Sequence, residues 1–228
     1  MKHPSNGHPN RSTPQNARRA RTVGTWLVTP HKFLAPDQVA ALRASIEGAR
    51  QRGIESADRL AVRNAVLVEL LLGTGLRASE LCGLCVGDIL LDHRRADVLV
   101  RRGKGGKPRL VAISGRLSTY LVEFVTWNAA VGESIEPDRA LFISERGGRL
   151  CRSALHRIWK ATLKHAGLPT TWGVHATRHT YAVEVYRKTR DIRLTQRLLG
   201  HSSVSTTMVY ASLLDEDLRR AVEQVWAA

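Results

Sequence analysis

The chain has 228 residues, of which 43% are hydrophobic and 24% are charged, the ordinary range of a globular domain. Thirty-five Lys and Arg against 20 Asp and Glu give a net charge of +15. That excess favours a polyanionic partner, with nucleic acid ahead of a membrane surface. No segment approaches the roughly 20 apolar residues that span a bilayer, and the N-terminus lacks an apolar signal core. We therefore expect a cytoplasmic protein without membrane contact.

Residues 1–33 are expected to form a disordered basic arm. They contain Pro, Asn, Ser and Gly among basic residues, and the first acidic residue is Asp37. Such a composition cannot bury a core. The arm is either a DNA contact, through Arg18, Arg19 and Arg21, or a solvated tail without a role.

A folded domain is expected over residues 34–228. Apolar residues at helical spacing predict helices near 36–46, 57–72, 78–84, 117–125, 155–163, 176–189, 193–199, 204–211 and 215–226. The second is expected to stop at the glycine-rich run 73–75. Three short apolar runs, 89–91, 98–100 and 110–113, predict strands, the last two joined by a glycine-rich hairpin at 103–108. The predicted class is mainly α (α+β), with one small three-stranded antiparallel sheet.

Four short segments carry candidate chemistry. They are T-G-L-R-x-S-E-L with Arg77, the G-K-G hairpin with Lys104, H-x-x-R with His175 and Arg178, and L-G-H-S-S followed by T-T-x-x-Y, with His201 and Tyr210. Each alone is as well explained by a surface charge or a packed aromatic ring. Together, two Arg, a Lys, two His and a Tyr are what phosphoryl transfer to a hydroxyl nucleophile needs without a metal.

The sequence also contains histidines and cysteines that could bind a metal ion. His175 and His179, four residues apart on one predicted helix, could begin a zinc site, but no carboxylate or Cys completes an obvious ligand set. Cys82 and Cys85 form C-x-x-C in an apolar run, and the third cysteine, Cys151, has no partner motif. Cys82 and Cys85 are predicted to be buried small side chains rather than metal ligands. No metal and no cofactor are expected.

With these motifs in this order, residues 34–226 resemble the tyrosine recombinase (phage integrase) family. The resemblance implies a helical catalytic domain that cleaves and rejoins duplex DNA through a 3′-phosphotyrosine, without metal or ATP. Tyr210 would be the nucleophile, Arg77 and Arg178 would clamp the scissile phosphate, and Lys104 would be the general acid. His175 and His201 would assist in hydrogen bonding and proton handling.

The resemblance implies further features. Glu80 would support Arg77 from behind, unless it is a solvated helix carboxylate, and Lys107 would contact DNA. The family acts as a homo-oligomer on DNA, which implies a tetramer, here associated with the nucleoid. Most members carry a further N-terminal helical domain that completes a clamp around DNA, whereas about 33 residues precede the matching region here.

Three alternatives remain open from the sequence. A type IB topoisomerase shares the chemistry but relaxes supercoils without a target site. A non-catalytic DNA-binding protein derived from a recombinase would keep the fold and lose the reaction. A basic RNA-binding protein would prefer RNA and form no covalent adduct.

Overall fold

The computed structural model describes residues 32–92, 95–103 and 106–200, together with 207, 208, 210, 222 and 223. Its helices, in chain order, are α1 (Pro36–Glu55), α2 (Arg59–Thr74), α3 (Ala78–Gly83), α4 (Gly115–Ala130), α5 (Arg152–His165), α6 (His175–Thr189) and α7 (Ile192–Leu199). Its strands are β1 (Ile89–Asp92), β2 (Arg95–Val100) and β3 (Arg109–Ala112). The predicted class, helical with one small sheet, is confirmed.

The three strands form one antiparallel sheet in the order β1-β2-β3. Val98 lies at its centre, opposite Ile89 on one side and Val111 on the other. The β2–β3 pairing confirms the predicted hairpin across 103–108. Because strands alternate their faces, Val98 and Val111 point together into the core and are almost fully buried.

Helix α2 forms the centre of the core. Its carboxylate cap, Asp58, accepts hydrogen bonds from the backbone N–H groups of Leu60 and Ala61, at 2.9 and 3.1 Å. An unbroken run from Ala65 to Leu72 is then buried. This stretch is buried on all sides because other elements surround it, here α1, α4 and α6, and its one charged residue, Glu69, pairs with Arg43.

Helix α2 stops within the glycine-rich run 73–75, as expected, but two residues later than the predicted end at residue 72. The helix continues through Gly73 and Thr74 and ends at Gly75, which has a φ of +61°. A Cβ at Gly75 would lie 2.6 Å from the Tyr181 ring on α6. This position therefore needs glycine both for its left-handed backbone and for the close approach of α6.

Other expectations are settled by the same structure. Cys82 and Cys85 are buried, as predicted, and Cys151 is exposed. The helices expected near 204–211 and 215–226 lie almost wholly outside the described residues. Within the part of the chain that is described, no helix is both long and apolar enough to cross a membrane.

Candidate active site

The first part of the site is the turn between α2 and α3, which presents Arg77. Arg77 caps α3, and its backbone N–H donates a hydrogen bond to the Glu80 carboxylate at 2.9 Å. Its guanidinium Nη1 also donates to Glu80, at 2.7 Å. Glu80 therefore fixes both the backbone and the side chain of Arg77.

A second arginine, Arg109 on β3, holds the other side of Glu80. Its Nη1 and Nη2 donate to the two carboxylate oxygens at 2.8 and 2.9 Å, a bidentate pair. Burial alone would raise the pKa of Glu80, but the hydrogen bonds from Arg109 and Arg77 outweigh burial and lower it to about 2. Glu80 is thus a buried anion at neutral pH rather than the solvated helix carboxylate of the alternative interpretation.

Arg109 also contacts the turns on either side of the site. A Cβ at Gly200 would lie 2.7 Å from its Nε, and one at Gly103 would lie 3.1 Å from its Nη1. Gly103 begins the hairpin that contains Lys104, and Gly200 precedes His201. The Arg109 Nε is buried and has no hydrogen-bond partner among the described residues.

Arg178 lies at the centre of the site, 2% exposed. Its Nη1 donates to the backbone oxygen of Gly75 at 2.7 Å, and its Nη2 donates to that of Leu199 at 2.6 Å. Two of the five guanidinium N–H groups of Arg178 therefore connect α6 by hydrogen bonds to two turns. One turn precedes Arg77 and the other precedes His201.

The charge of Arg178 is poorly compensated. Burial, followed by repulsion from Arg77, lowers its pKa to about 10, so the group is still charged at neutral pH. No ion pair joins it to a carboxylate within the described residues. Glu80 attracts it from beyond ion-pair distance and is already bonded to Arg77 and Arg109. A buried cation among other cations is a site prepared for an anion.

Tyr210 lies beside His179, the residue that follows Arg178 on α6, and is 3% exposed. Its hydroxyl oxygen is 2.8 Å from Nδ1 of His179. Burial raises the pKa of Tyr210 to about 12, a shift that the charge of Arg178 partly opposes. Burial, followed by the charges of His175, Lys32 and Arg178, lowers the pKa of His179 to about 4. At neutral pH the phenol is therefore protonated and the imidazole is neutral.

His175 begins α6 and is exposed. Its ring meets that of His179 edge to face, with centroids 4.8 Å apart. Desolvation of the ring, followed by the charges of Arg178 and Arg77, lowers the pKa of His175. Within the described residues no group of three or more His, Cys, Asp or Glu is arranged to hold a metal ion.

Five of the expected site residues lie outside the described residues: Lys104, His201, Arg18, Arg19 and Arg21. Lys107 is described and exposed, and its backbone oxygen accepts the N–H of Gly103 at 3.0 Å, which closes the base of the hairpin.

Two residues of the site were missed by the sequence analysis, Arg109 and His179. The sequence analysis names His179 solely as a possible zinc ligand. Its position one turn after His175 nevertheless predicts that the two rings share a helix face. Arg109 had no comparable signal. It lies two residues after Lys107, but its partner Glu80 is 29 positions away.

Arg77, His175, Arg178 and a buried Tyr thus share one positively charged centre in a helical domain. This arrangement has the features of a phosphodiester-processing domain. Comparison with known proteins identifies the family. The phage integrase family model matches residues 32–217. The chain belongs to this family.

The relatives that the chain matches by sequence are named as tyrosine recombinases. The chain is 36% identical over 201 residues to the tyrosine recombinase XerD of Mycobacterium leprae, covering 86% of this chain and 60% of the relative. It is 38% identical over 191 residues to the tyrosine recombinase XerC of Mycobacterium bovis, covering 82% of this chain and 61% of the relative. The chain therefore spans about three fifths of the length of these relatives.

Solved structures show the same fold. The site-specific recombinase XerH, bound to a palindromic difH substrate after cleavage, superposes with a TM-score of 0.69 at 26% identity, covering 83% of this chain and 52% of XerH. The recombinase XerA superposes with a TM-score of 0.66 at 29% identity, covering 86% of this chain and 66% of XerA.

Proposed function

We propose that residues 34–228 form the catalytic domain of a site-specific DNA recombinase that cleaves and rejoins duplex DNA through a 3′-phosphotyrosine. The supporting observation is the buried, incompletely compensated charge of Arg178, which acts on the equally buried hydroxyl of Tyr210. A scissile phosphate is an anion of the right size to occupy that centre. The relatives named as tyrosine recombinases point to the same activity.

In the proposed reaction the hydroxyl of Tyr210 attacks the scissile phosphorus, and the bond from phosphorus to the 5′ oxygen breaks. Arg77 and Arg178 hold the non-bridging oxygens and offset the charge that builds there. His175 supplies a further hydrogen bond, and Lys104 gives a proton to the departing 5′ oxygen, assisted by His201. A 5′ hydroxyl then attacks the phosphotyrosine, so the phosphodiester energy is kept and neither metal nor ATP is used.

Glu80 has a positioning role in this proposal. It keeps Arg77 aligned while its own negative charge is held by Arg109, so that Arg77 can turn its remaining N–H groups to the phosphate. An aligned guanidinium matters because small displacements of a phosphate-holding group are costly in rate.

The partners follow from the same proposal. The +15 charge suits duplex DNA, with Lys107 and the arm residues Arg18, Arg19 and Arg21 as contacts outside the site. Rejoining strands from two sites needs several copies of the domain, and we propose a homotetramer on nucleoid DNA. Residues 1–33 are proposed as a basic arm distinct from the domain.

The experiment uses a pool of nicked duplexes with randomised sequence around the nick. Cleavage beside the nick releases a short 5′-hydroxyl fragment and traps the covalent adduct, which survives denaturing electrophoresis and can be sequenced for a target site. Wild type should form an adduct, and Tyr210→Phe, which keeps the ring and loses the nucleophilic oxygen, should bind DNA without one.

The outcomes separate the candidate functions. DNA binding without any adduct would identify a non-catalytic DNA-binding protein. An adduct in Tyr210→Phe would assign the nucleophile to another residue. Relaxation of supercoiled plasmids lacking the selected site, without exchange between two copies of it, would identify topoisomerase activity.

A further inference from the structure

The Tyr210 hydroxyl has a described hydrogen-bond partner that the mechanism above does not use. Nδ1 of His179 is 2.8 Å from it. His179 lies between His175 and Tyr210, with ring centroids 4.8 Å from the first and 5.9 Å from the second. The phenol must lose its proton as it attacks phosphorus. Arg77 and Arg178 are cations that cannot accept one, and among the described residues His179 is the basic group within hydrogen-bond distance of the phenol oxygen.

We infer that His179 is the general base of the reaction and that its Nδ1 takes the proton of Tyr210 as the phenol oxygen attacks the scissile phosphorus. The inference rests on the proposed function and adds a catalytic residue to it. The distance lies within the range in which a side chain can transfer a proton directly.

The proton balance closes over both halves of the reaction. In cleavage, the oxygen of Tyr210 forms a bond to phosphorus, its proton passes to the lone pair of His179 Nδ1, and the 5′ oxygen leaves with a proton from Lys104. In rejoining, a 5′ hydroxyl attacks the phosphotyrosine, Lys104 takes back that proton, and protonated His179 returns its own to the phenol oxygen. Each group ends in its starting state.

The surrounding charges link the base to DNA binding. The groups that face His179 are His175 and Arg178 from its own helix, Lys32 from the segment before α1, and Tyr210. Burial and the three basic groups lower the pKa of His179 to about 4, which makes the ring a weak base without DNA. A phosphate held by Arg178 and His175 would offset these charges, so His179 becomes a stronger base when its substrate arrives.

A purely structural role makes different predictions. As a structural partner, His179 would simply satisfy the buried hydroxyl of Tyr210, and any side chain that accepts this hydrogen bond would serve as well. As a base, it needs a lone pair that can keep the proton. His179→Asn separates the two roles, because the Asn carbonyl oxygen can accept a hydrogen bond near the position of Nδ1 but is not basic.

The first measurement is the single-turnover rate of adduct formation on the nicked duplex selected by wild type. His179→Asn should be slower by roughly 10²–10³-fold, within the usual contribution of general base catalysis. The control is His165→Asn, at the exposed end of α5, where the ring contacts the carbonyl of Ala161. It should react at the wild-type rate.

The second measurement replaces Tyr210 by 3,5-difluorotyrosine, whose phenol is more acidic. A nucleophile that ionises readily depends less on a base, so the difference in rate between wild type and His179→Asn should shrink to about tenfold or less. An unchanged difference would mean that His179 acts only as a structural partner, and the inference would be wrong.

Two further results keep the inference separate from the proposed function. An adduct in wild type, absent in Tyr210→Phe but formed at the wild-type rate by His179→Asn, would overturn the base and leave the recombinase intact. No adduct in wild type would instead contradict the proposed function. If His179→Asn melts well below wild type, His179→Ala with added imidazole replaces it: restored rates support the base, and no restoration overturns it.

Discussion

Replacing Glu80 by Gln should destabilise the fold in a pH-dependent way that identifies the charge as the cause. Glu80 accepts four hydrogen bonds, from the backbone and guanidinium of Arg77 and from both terminal nitrogens of Arg109. Its side chain is 3% exposed. Gln keeps the shape, but it removes the negative charge and turns one acceptor into a donor that faces two cations.

The expected size follows from the pKa of Glu80. A fall from 4.5 to about 2 on folding corresponds to about 3 kcal/mol, at about 1.4 kcal/mol for each pH unit. Because the folded pKa is the lower one, this stability is fully present above pH 4.5 and is lost as the pH falls toward 2. Glu80→Gln should therefore cost on the order of 3 kcal/mol at pH 7 and clearly less at pH 3.

The assay is urea unfolding of wild type and variant at pH 7 and at pH 3. The matched control is Glu184→Gln, which removes one side of a half-exposed ion pair with Arg187 on α6. Exposed pairs contribute up to about 1 kcal/mol, so the control should stay close to wild type at both pH values. A Glu80→Gln cost below 1 kcal/mol, or one that is equal at both pH values, would refute the electrostatic argument.

Three more predictions concern the reaction itself. Cleavage should proceed in excess EDTA, since Arg77, Arg178 and Lys104 supply the positive charge, and a loss of activity that Mg²⁺ or Zn²⁺ restores would contradict this. Deleting residues 1–30 should weaken DNA binding and flatten its salt dependence, by a slope of about 0.9 for each lost phosphate contact, whereas unchanged binding would make the arm a bystander. Lys104→Ala should be slower by roughly 10²–10⁴-fold on ordinary DNA and close to wild type on DNA with a 5′ bridging sulfur, because a thiolate leaves without a proton. Arg178→Ala should stay defective on both, and failure of sulfur to rescue Lys104→Ala would make His201 or Lys107 the acid to test.

Much of the fold could be predicted because its signals are local. Apolar residues at helical spacing located α1 to α7, although α1 continues to Glu55, nine residues beyond the predicted stretch 36–46. The alternation of short apolar runs with a glycine-rich turn located the sheet. The end of α2 was missed by two residues. Gly73 is compatible with a helix, and α2 ends at Gly75, whose backbone is left-handed and lies close to the Tyr181 ring of a helix about a hundred positions away.

The site could be predicted only in part, for a related reason. Motifs identify residue types and their order, so the resemblance named Arg77, Arg178 and Tyr210. It could not show that Arg178 is tied to two backbone carbonyls or that Tyr210 is joined to His179, because these contacts link positions 21 to 103 residues apart. Such contacts depend on how α6 packs between two turns, which no local pattern encodes.

The packing of α6 between these two turns also explains why the site needs two glycines as well as its charged groups. Gly75 and Gly200 both have left-handed φ values and both end a helix, Gly75 two positions before Arg77 and Gly200 directly before His201. Arg178 binds the carbonyl of Gly75 and that of Leu199, next to Gly200, while Arg109 fills the space that a Cβ at Gly200 would occupy. The two arginines thus hold together turns that α6 and β3 would otherwise leave separate. The charge of Arg109 is bonded to Glu80, whereas the charge of Arg178 has no ion pair within the described residues. The side chain that joins the two turns therefore also creates the site's demand for an anion.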